Sequence, residues 1–463
     1  MQKNNDNFKT LNNIEIYLQY AKKFKQKIYT LSPEALWIFT GQMGVAVAGL
    51  FGTKLLTNML DPGEFGVLAL ANTVVTLISV NFLFGPLGQG LMRAWPISQG
   101  RGDLGTFYAV SRRFEKYIIV ISIVVAIISV IIAMNIKGVS WAILIAFSMM
   151  VGITSGCLGL RLSVFTASRK RKWVSLLNIS NAILKPIIAV GFIFLVNASA
   201  SWVMVGYLVA TFTIMLLAVR CYNCIVSSTV YSISMANDTL SSIKKDIIYF
   251  SWPFAVWAIF GWIYVSCDMW ALQAYHGAEV VGAFAVVTLL SKFPLIFSSS
   301  FLNTLFIPIA FQRASDLTNN QNIISANKIL VITASIYILG AAILIFLFSI
   351  FHYPLVLLIS NIQFANFSFF LPWLTFAWSL FYLGQTLTNF GLLAKHSRIY
   401  IMPKIISAIV AGICTFYLSN KIGSVGVVYG LIIAGIVYAL WCGIIAVEYY
   451  KRGKISSNDE SNI

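Results

Sequence analysis

Five charged side chains fall inside long apolar stretches of this 463-residue sequence: Lys54, Arg161, Lys185, Asp268 and Lys292. A charge at membrane depth is costly, so each of these residues is a functional candidate by default. Four of the five are cations. A water-filled cavity lined in this way would attract an anionic group such as a phosphate or pyrophosphate, which Lys and Arg bind well.

Structural interpretations of the same residues stay open. Lys54 and Arg161 fall within one or two turns of a predicted helix end, from which a long side chain could reach the membrane interface. Asp268 and Lys292 belong to neighbouring predicted helices and could form a structural ion pair. Lys185 is near the middle of its predicted helix and is the strongest candidate for a functional cation.

The apolar stretches that contain these residues predict an all-α membrane protein. Hydrophobic residues make up 59% of the chain and charged residues 10%, whereas a soluble globular chain has about 25% charged residues. A spanning helix needs roughly 20 mostly apolar residues, and the runs lack the alternation typical of membrane strands. Twelve transmembrane helices are predicted, at 35–58, 65–92, 115–135, 140–167, 173–196, 200–222, 247–273, 280–311, 326–351, 366–394, 400–419 and 424–448.

Basic residues alternate along this topology and indicate its orientation. Of the 32 Lys and Arg residues, 26 fall on one side, among them Arg171 and Lys404. Two (Lys137 and Lys421) fall on the other side, and four are inside the spans. By the positive-inside rule the basic side, with both termini, is expected to face the cytoplasm. The formal net charge of +17 is therefore spread over short patches, and nucleic-acid binding, which needs one continuous basic face, is not expected.

The two halves of the chain contain a repeat. "LDPGEFGVLALANTVVTLISV" follows the first predicted helix and "YHGAEVVGAFAVVTLLSKFPL" follows the seventh. Each copy has a Glu, a nearby Gly and an Ala-rich helix. Because six helices separate the copies, we predict two six-helix halves, 35–222 and 247–448, related by a pseudo-twofold axis along the membrane normal.

Three polar segments complete the predicted domain organisation. Residues 1–34 are interpreted as a basic amphipathic segment on the inner leaflet, with a frayed polar tail as the alternative. Residues 223–246 are rich in Ser and Thr and are predicted to link the halves. Residues 449–463 form the predicted cytoplasmic tail.

Tryptophans are concentrated in the seventh and tenth predicted helices. Aromatic faces stack on sugar rings, so a glycan-lined cavity is one interpretation, and anchoring at the membrane interface is the other. The residues concerned are Trp252, Trp257, Trp262, Trp270, Trp373 and Trp378.

No catalytic or metal-binding motif is recognisable. The three histidines stand apart in sequence, and "CYNC" offers two thiols where a metal site needs more ligands. The sequence contains neither a Gly-rich phosphate loop nor a Gly-x-Ser-x-Gly motif. The predicted outer loops are short and contain few acids. We therefore expect a protein that is not an enzyme, with no catalytic residue, metal or cofactor.

Two stretches resemble a known family. "GLFGTKLLTNMLDPGEFGVLALANTVVTLISVNFLFGPLGQGLMR" is similar to the first two helices of the polysaccharide flippases, the Wzx-type transporters of O-antigen, capsule and exopolysaccharide units. "GLLAKHSRIYIMPKIISAIVAGI" is similar to the connection between the tenth and eleventh helices of that family. The wider MOP superfamily also contains the MATE exporters and the lipid II flippase, so the resemblance implies a MATE-like fold.

The resemblance also implies a function. Such proteins move undecaprenyl-pyrophosphate-linked oligosaccharides to the periplasmic leaflet of the bacterial inner membrane by alternating access. Membrane lipids, and a polysaccharide polymerase with its chain-length machinery, would be partners. Coupling to a proton or sodium gradient is compatible with this function, and Asp268 is then a candidate for protonation-linked motion.

Two other functions remain as alternatives. A MATE-like cation-coupled exporter of small molecules would favour more buried carboxylates than Asp268 alone. A membrane-embedded glycan polymerase or ligase would favour a large outer loop with acids or bases.

Overall fold

Helices account for all regular secondary structure in the described part of the chain. The structure is a computed structural model and describes residue 34 and residues 36–229, 237–314, 320–394 and 396–460. The α-helices are α1 Leu36–Thr57, α2 Pro62–Thr76, α3 Phe84–Arg101, α4 Leu104–Lys137, α5 Val139–Ala167, α6 Arg171–Leu195, α7 Ala200–Thr229, α8 Asn237–Arg313, α9 Asn320–Ile359, α10 Leu371–Leu387, α11 Asn389–Leu393, α12 Ile401–Ile422 and α13 Ser424–Glu460.

Eleven helical segments in the described ranges are long and apolar enough to cross a membrane. The longest, Ser241–Arg313, has 73 residues, and at 1.5 Å per residue it would be roughly 110 Å long if straight, far beyond a hydrocarbon core of about 30 Å. Its backbone breaks at Gly277, where φ is 81°, a left-handed conformation that favours glycine. The segment therefore forms two spans, and the twelve predicted crossings are confirmed.

One predicted span is longer and less regular than expected. The second crossing comprises α2, a π-helical turn at Leu77–Phe82 and α3, 40 residues in total. A π-helical turn disturbs the regular hydrogen-bond ladder of a helix and is a common site of bending. The prediction of 65–92 therefore located this helix but missed its extension to Arg101.

The two sides of the bundle are named by charge. The basic side contains the start of α1 and the α3–α4 and α5–α6 turns; the far side contains the end of α1, the α4–α5 turn and Gly277. On the far side, Asp61 caps α2 by accepting a hydrogen bond of 2.7 Å from the Glu64 amide. The Glu64 carboxylate in turn accepts from the Ala200 amide at 2.6 Å, so it caps α7.

The repeated sequence brings the halves together at the far side. A Cβ atom placed on Gly66 would lie 1.8 Å from the Ala278 carbonyl oxygen, and one on Gly282 would lie 1.9 Å from the Pro62 carbonyl oxygen. The contact is reciprocal: equivalent residues of the two repeats meet each other. Such mutual contact is what a twofold axis passing between two segments produces, and it supports the predicted relation between the halves.

The predicted polar segments are described only in part. Residues 1–33 lie outside the described residues, so the amphipathic segment stays a prediction. In the predicted linker 223–246, α7 continues to Thr229 and α8 begins at Asn237. Helix α13 continues to Glu460, through most of the predicted tail.

Candidate functional site

A cavity of about 1270 Å³ lies between the two halves. Its walls come from α1, α2, α6 and α7 of the first half and from α8 of the second, on both sides of Gly277. The lining extends to Arg171, the first residue of α6, at the basic side. Among the described residues that line it, three are cations (Arg171, Lys185 and Lys292) and none is a carboxylate.

Lys185 lines this cavity from the middle of α6. Its Nζ lies 5.7 Å from the centre of the Tyr207 ring on α7. No carboxylate in the described part of the chain lies within ion-pair distance of it. The following residue, Pro186, approaches α1 closely, because a Cβ atom on Gly52 would lie 3.0 Å from the proline ring. Lys185 is therefore a cation facing the space between the halves without a fixed counter-ion.

Lys292 lines the opposite wall, and Asp268 lies behind it. The Lys292 Nζ is 3.8 Å from Asp268 Oδ2, 3.3 Å from the Val265 carbonyl oxygen and 3.8 Å from the centre of the Trp378 ring. Asp268 is fully buried and is absent from the cavity lining. The ion pair that the sequence suggested is present, so the charge of Lys292 is partly compensated within its own half.

Lys54 lies outside the cavity and connects the two halves. Its Nζ donates a hydrogen bond of 3.0 Å to the Leu357 carbonyl oxygen and a second one to the Ser360 carbonyl oxygen. Both acceptors are at the end of α9, where helix carbonyls lack intrahelical partners and a cation is favourable. Its predicted role in cargo binding remains untested, and its observed contacts hold α1 against the second half at the far side.

Arg161 also lies away from the central cavity. It forms a 2.7 Å ion pair with Glu115 of α4 and donates to the Cys157 carbonyl oxygen at 2.7 Å. It lines a separate pocket of about 310 Å³ inside the first half, together with Arg112 and Glu115. The interpretation that the Arg161 side chain reaches the membrane interface did not anticipate this ion pair. A role for Arg161 in cargo binding stays a prediction.

Sequence reasoning missed the polar face of α6. Arg171, Asn178 and Asn181 line the central cavity on the same helix as Lys185. The signal was present in the sequence, because Arg171, Asn178 and Lys185 follow one another at seven-residue intervals, which places them near one helix face.

Lys404 is a buried cation that the sequence reading placed with the basic loops. The structure differs: Lys404 lies in the first turn of α12 and is 2% exposed. Its Nζ is 4.0 Å from the Phe381 ring centre, 4.9 Å from that of Tyr438 and 6.0 Å from that of Tyr264. Cation–π contacts stabilise an ammonium in such surroundings. The small residues Ser407, Ala408 and Ala411 are buried on the same helix face, and in the sequence they could have indicated that Lys404 is buried.

None of the tryptophans named above is among the described residues that line the cavity. Trp262 donates to the Thr73 carbonyl oxygen at 2.8 Å and Trp270 donates to the Thr73 hydroxyl at 3.0 Å, so both attach the second half to α2. Trp378 is buried beside Lys292, and Trp252 and Trp373 are exposed on the outside of the bundle.

Contacts between the halves close the far end of the cavity. The Asn361 amide donates to the Thr57 carbonyl oxygen at 2.7 Å. The rings of Phe65 and Phe364 meet edge to face, with centres 5.4 Å apart. Together with the Lys54 bonds and the Gly66–Gly282 crossing, these contacts leave the far side packed, while the cavity lining reaches the basic side.

The fold and the cavity between its halves define a multi-pass membrane protein built from two six-helix halves. The sequence model described as "Polysaccharide biosynthesis protein" matches residues 32–314. The chain therefore belongs to the polysaccharide biosynthesis protein family, and the resemblance seen in the sequence is confirmed. No curated protein matches the chain by sequence.

Solved structures show the same fold at low sequence identity. The lipid II flippase MurJ in an inward closed conformation superposes with a TM-score of 0.62 and 12% identity, covering 91% of this chain and 90% of that one. An outward-facing multidrug resistance MATE family transporter gives 0.62 and 12%, covering 91% and 95%. A Vibrio cholerae MATE transporter, VcmN, gives 0.59 and 14%, covering 93% and 98%.

Proposed function

We propose that this protein is a flippase that moves undecaprenyl-diphosphate-linked oligosaccharide units across the bacterial inner membrane for the synthesis of a surface polysaccharide, such as O-antigen, capsule or exopolysaccharide. The observation that carries the proposal is the charge of the central cavity: Arg171, Lys185 and Lys292 line it, with no carboxylate among its described lining residues. A diphosphate can leave water only where cations replace its solvation.

The arrangement of the halves supports alternating access. The cavity lies between two six-helix halves whose far-side contacts close one end. In the proposed cycle, cargo enters from the basic side, the far-side contacts separate, and the same cations then face the other leaflet. We place the basic side and both termini in the cytoplasm, as the distribution of Lys and Arg indicates.

The cavity charge favours this cargo over cationic small molecules. An exporter of cationic compounds would need buried carboxylates facing its cargo. Asp268, the one candidate from the sequence, lies behind Lys292 and outside the cavity lining. A MATE-like exporter therefore ranks second. A glycan polymerase or ligase, for which the described residues offer no supporting group, ranks third.

Coupling to a proton or sodium gradient is a further part of the proposal. Asp268 Oδ2 is buried, has no hydrogen-bond partner among the described residues, and lies 3.8 Å from Lys292. Neutralising this carboxyl would release Lys292, which lines the cavity. The Asp268–Lys292 pair could thus connect ion binding to cargo binding. A polymerase and its chain-length machinery are the expected downstream partners.

A reconstituted system tests the proposal. Purified protein is inserted into liposomes that contain fluorescently tagged undecaprenyl-diphosphate-linked oligosaccharide, and the fraction accessible to an impermeant quencher is followed over time. We expect wild-type protein to equilibrate the lipid between leaflets faster than protein-free liposomes. Equal rates in the two preparations under every imposed proton or sodium gradient would refute the flippase function.

A further inference from the structure

The polar face of α6 provides more hydrogen-bonding groups than a diphosphate requires. Arg171, Asn178 and Lys185 recur every seven residues and all line the cavity, with Asn181 one turn after Asn178. From Arg171 to Lys185 the face extends roughly 21 Å along the helix axis at 1.5 Å per residue. It therefore connects the basic-side end of the cavity to the cation in the middle of the membrane.

Several of these groups lack partners within the protein. The Arg171 Nε and the Asn181 Oδ1 are buried without a hydrogen bond to any described residue. Arg171 has no ion pair in the part of the chain described. Unpaired buried polar groups are unfavourable and rare in native proteins. Because both side chains line the cavity, a bound ligand can supply the missing partners after a side-chain rotation.

Ser175 lies on the same face of α6, but its hydroxyl already has a hydrogen-bond partner within the protein. Its hydroxyl donates to the Trp37 carbonyl oxygen at 2.5 Å and packs against Gly41, so it holds α1 to α6. Asn178 lines the cavity one turn before Asn181. Ser175 also borders the cavity, but its hydroxyl already has a partner, whereas Asn181 Oδ1 has none among the described residues.

We propose that this face binds the glycan of the cargo: Asn178 and Asn181 bind sugar hydroxyls, and Arg171 binds an anionic substituent, a carboxylate or a phosphate, on the glycan. The inference rests on the proposed function and narrows it by assigning the linking diphosphate to Lys185 and Lys292 alone. Amides both donate and accept and so match sugar hydroxyls, while the planar fork of Arg binds carboxylate or phosphate in a bidentate manner. The cargo class is therefore an acidic oligosaccharide.

Two probes separate this inference from the proposed function. Full-length protein in detergent is titrated with undecaprenyl diphosphate alone and with the lipid-linked unit isolated from the producing cells. The variants are Arg171→Gln and the double substitution Asn178→Leu with Asn181→Leu. Matched controls are Lys172→Gln, the exposed neighbour of Arg171, and Asn135→Leu, an exposed position on α4.

We expect both α6 variants to bind the native unit about tenfold more weakly, the loss typical of removing a hydrogen bond to a charged group or two neutral ones. Their affinity for undecaprenyl diphosphate should stay within twofold of the wild-type value, as should both affinities of the controls. Equal weakening for both probes would overturn the inference, because Arg171 would then hold the linking diphosphate. Unchanged affinity for the native unit would overturn it as well.

The composition of the isolated glycan is an independent readout. A carboxylate or phosphate beyond the linkage supports the role of Arg171 and identifies which group it binds. A neutral glycan overturns that role. If wild-type protein binds neither probe, the proposed function fails, whereas equal wild-type binding of the two probes overturns only the role of α6.

Discussion

Gly66 and Gly282 lie in mutual contact where the two halves cross at the far side. A side chain on either residue would enter the backbone of the other half, at 1.8 Å from the Ala278 oxygen or 1.9 Å from the Pro62 oxygen. The two residues are equivalent positions of the internal repeat. Their contact therefore supports the symmetry and is a close approach of the two backbones at the closed end of the cavity.

Alanine at either glycine should disturb this crossing. Because the clash involves backbone atoms that cannot rotate away, we expect Gly66→Ala and Gly282→Ala each to destabilise this state by about 1–3 kcal/mol, as overpacking does. Thermal unfolding in detergent measures the effect. Gly159→Ala is the matched control, since nothing lies within 4 Å of a Cβ atom there. Melting temperatures equal to that of the control would contradict the close crossing.

Removing the Lys54 ammonium should open the far side without impairing anion binding. Hydrogen bonds to a charged group contribute about 1.5–3 kcal/mol each, so Lys54→Gln should move the balance between closed and open far sides by at least about tenfold. Spin labels at Asn58 and Gln363, both exposed near the contact, would report the distance distribution. Affinity for undecaprenyl diphosphate should remain within about twofold. An unchanged distance distribution would show that Lys54 does not latch the halves.

The Arg161–Glu115 pair should behave as a structural ion pair. The two side chains are 17% and 20% exposed, so removing one partner leaves a largely buried charge, and we expect Arg161→Met to destabilise the protein by about 1–3 kcal/mol. Adding Glu115→Gln should recover much of that loss. A thermal-unfolding double-mutant cycle measures the coupling. If Arg161→Met instead weakens undecaprenyl diphosphate binding at unchanged stability, Arg161 belongs to the cargo path.

Asp268→Asn tests the proposed coupling. The substitution removes the carboxylate 3.8 Å from Lys292 and keeps the shape of the side chain. If protonation of Asp268 drives the cycle, the transport rate of the wild-type protein should depend on an imposed pH gradient, and that of the variant should not. Flipping in liposomes with and without a gradient measures this. Identical gradient responses in the two proteins would remove Asp268 from the coupling step.

The sequence predicted the helices well because membrane spans depend on local composition. Each apolar run must satisfy its backbone hydrogen bonds internally, so length and hydropathy alone located the twelve crossings. The repeat was also recognisable from its Glu and Gly residues. Its far-side Gly66–Gly282 contact was not predictable, because sequence periodicity does not say which copies of a motif meet.

The candidate site was predictable only in part, because depth in the membrane does not say which way a side chain faces. Lys54, Lys185 and Arg161 all stood out as membrane cations, yet only Lys185 lines the central cavity. The distinction comes from packing partners distant in sequence, such as Ser360 for Lys54 and Glu115 for Arg161.

Two cations were wrongly assigned to the basic loops because they lie next to them in sequence. Arg171 and Lys404 were both counted with the basic side. In the structure, Arg171 lines the cavity and Lys404 is buried among aromatic rings. The seven-residue spacing from Arg171 to Lys185 could have predicted that Arg171 shares a helix face with Lys185. The small residues that follow Lys404 could have predicted its burial.

The leaflet that holds the undecaprenyl-diphosphate-linked glycan is the most direct measurement of passage through the central cavity. In cells that have no substitute flippase, we expect Lys185→Ala at normal protein level to accumulate the unit on the cytoplasmic leaflet. Lys172→Ala, an exposed lysine on the same helix, should not. Unhindered crossing in Lys185→Ala cells would remove Lys185 from the cargo path. Unhindered crossing in cells that lack the protein altogether would contradict the flippase function itself.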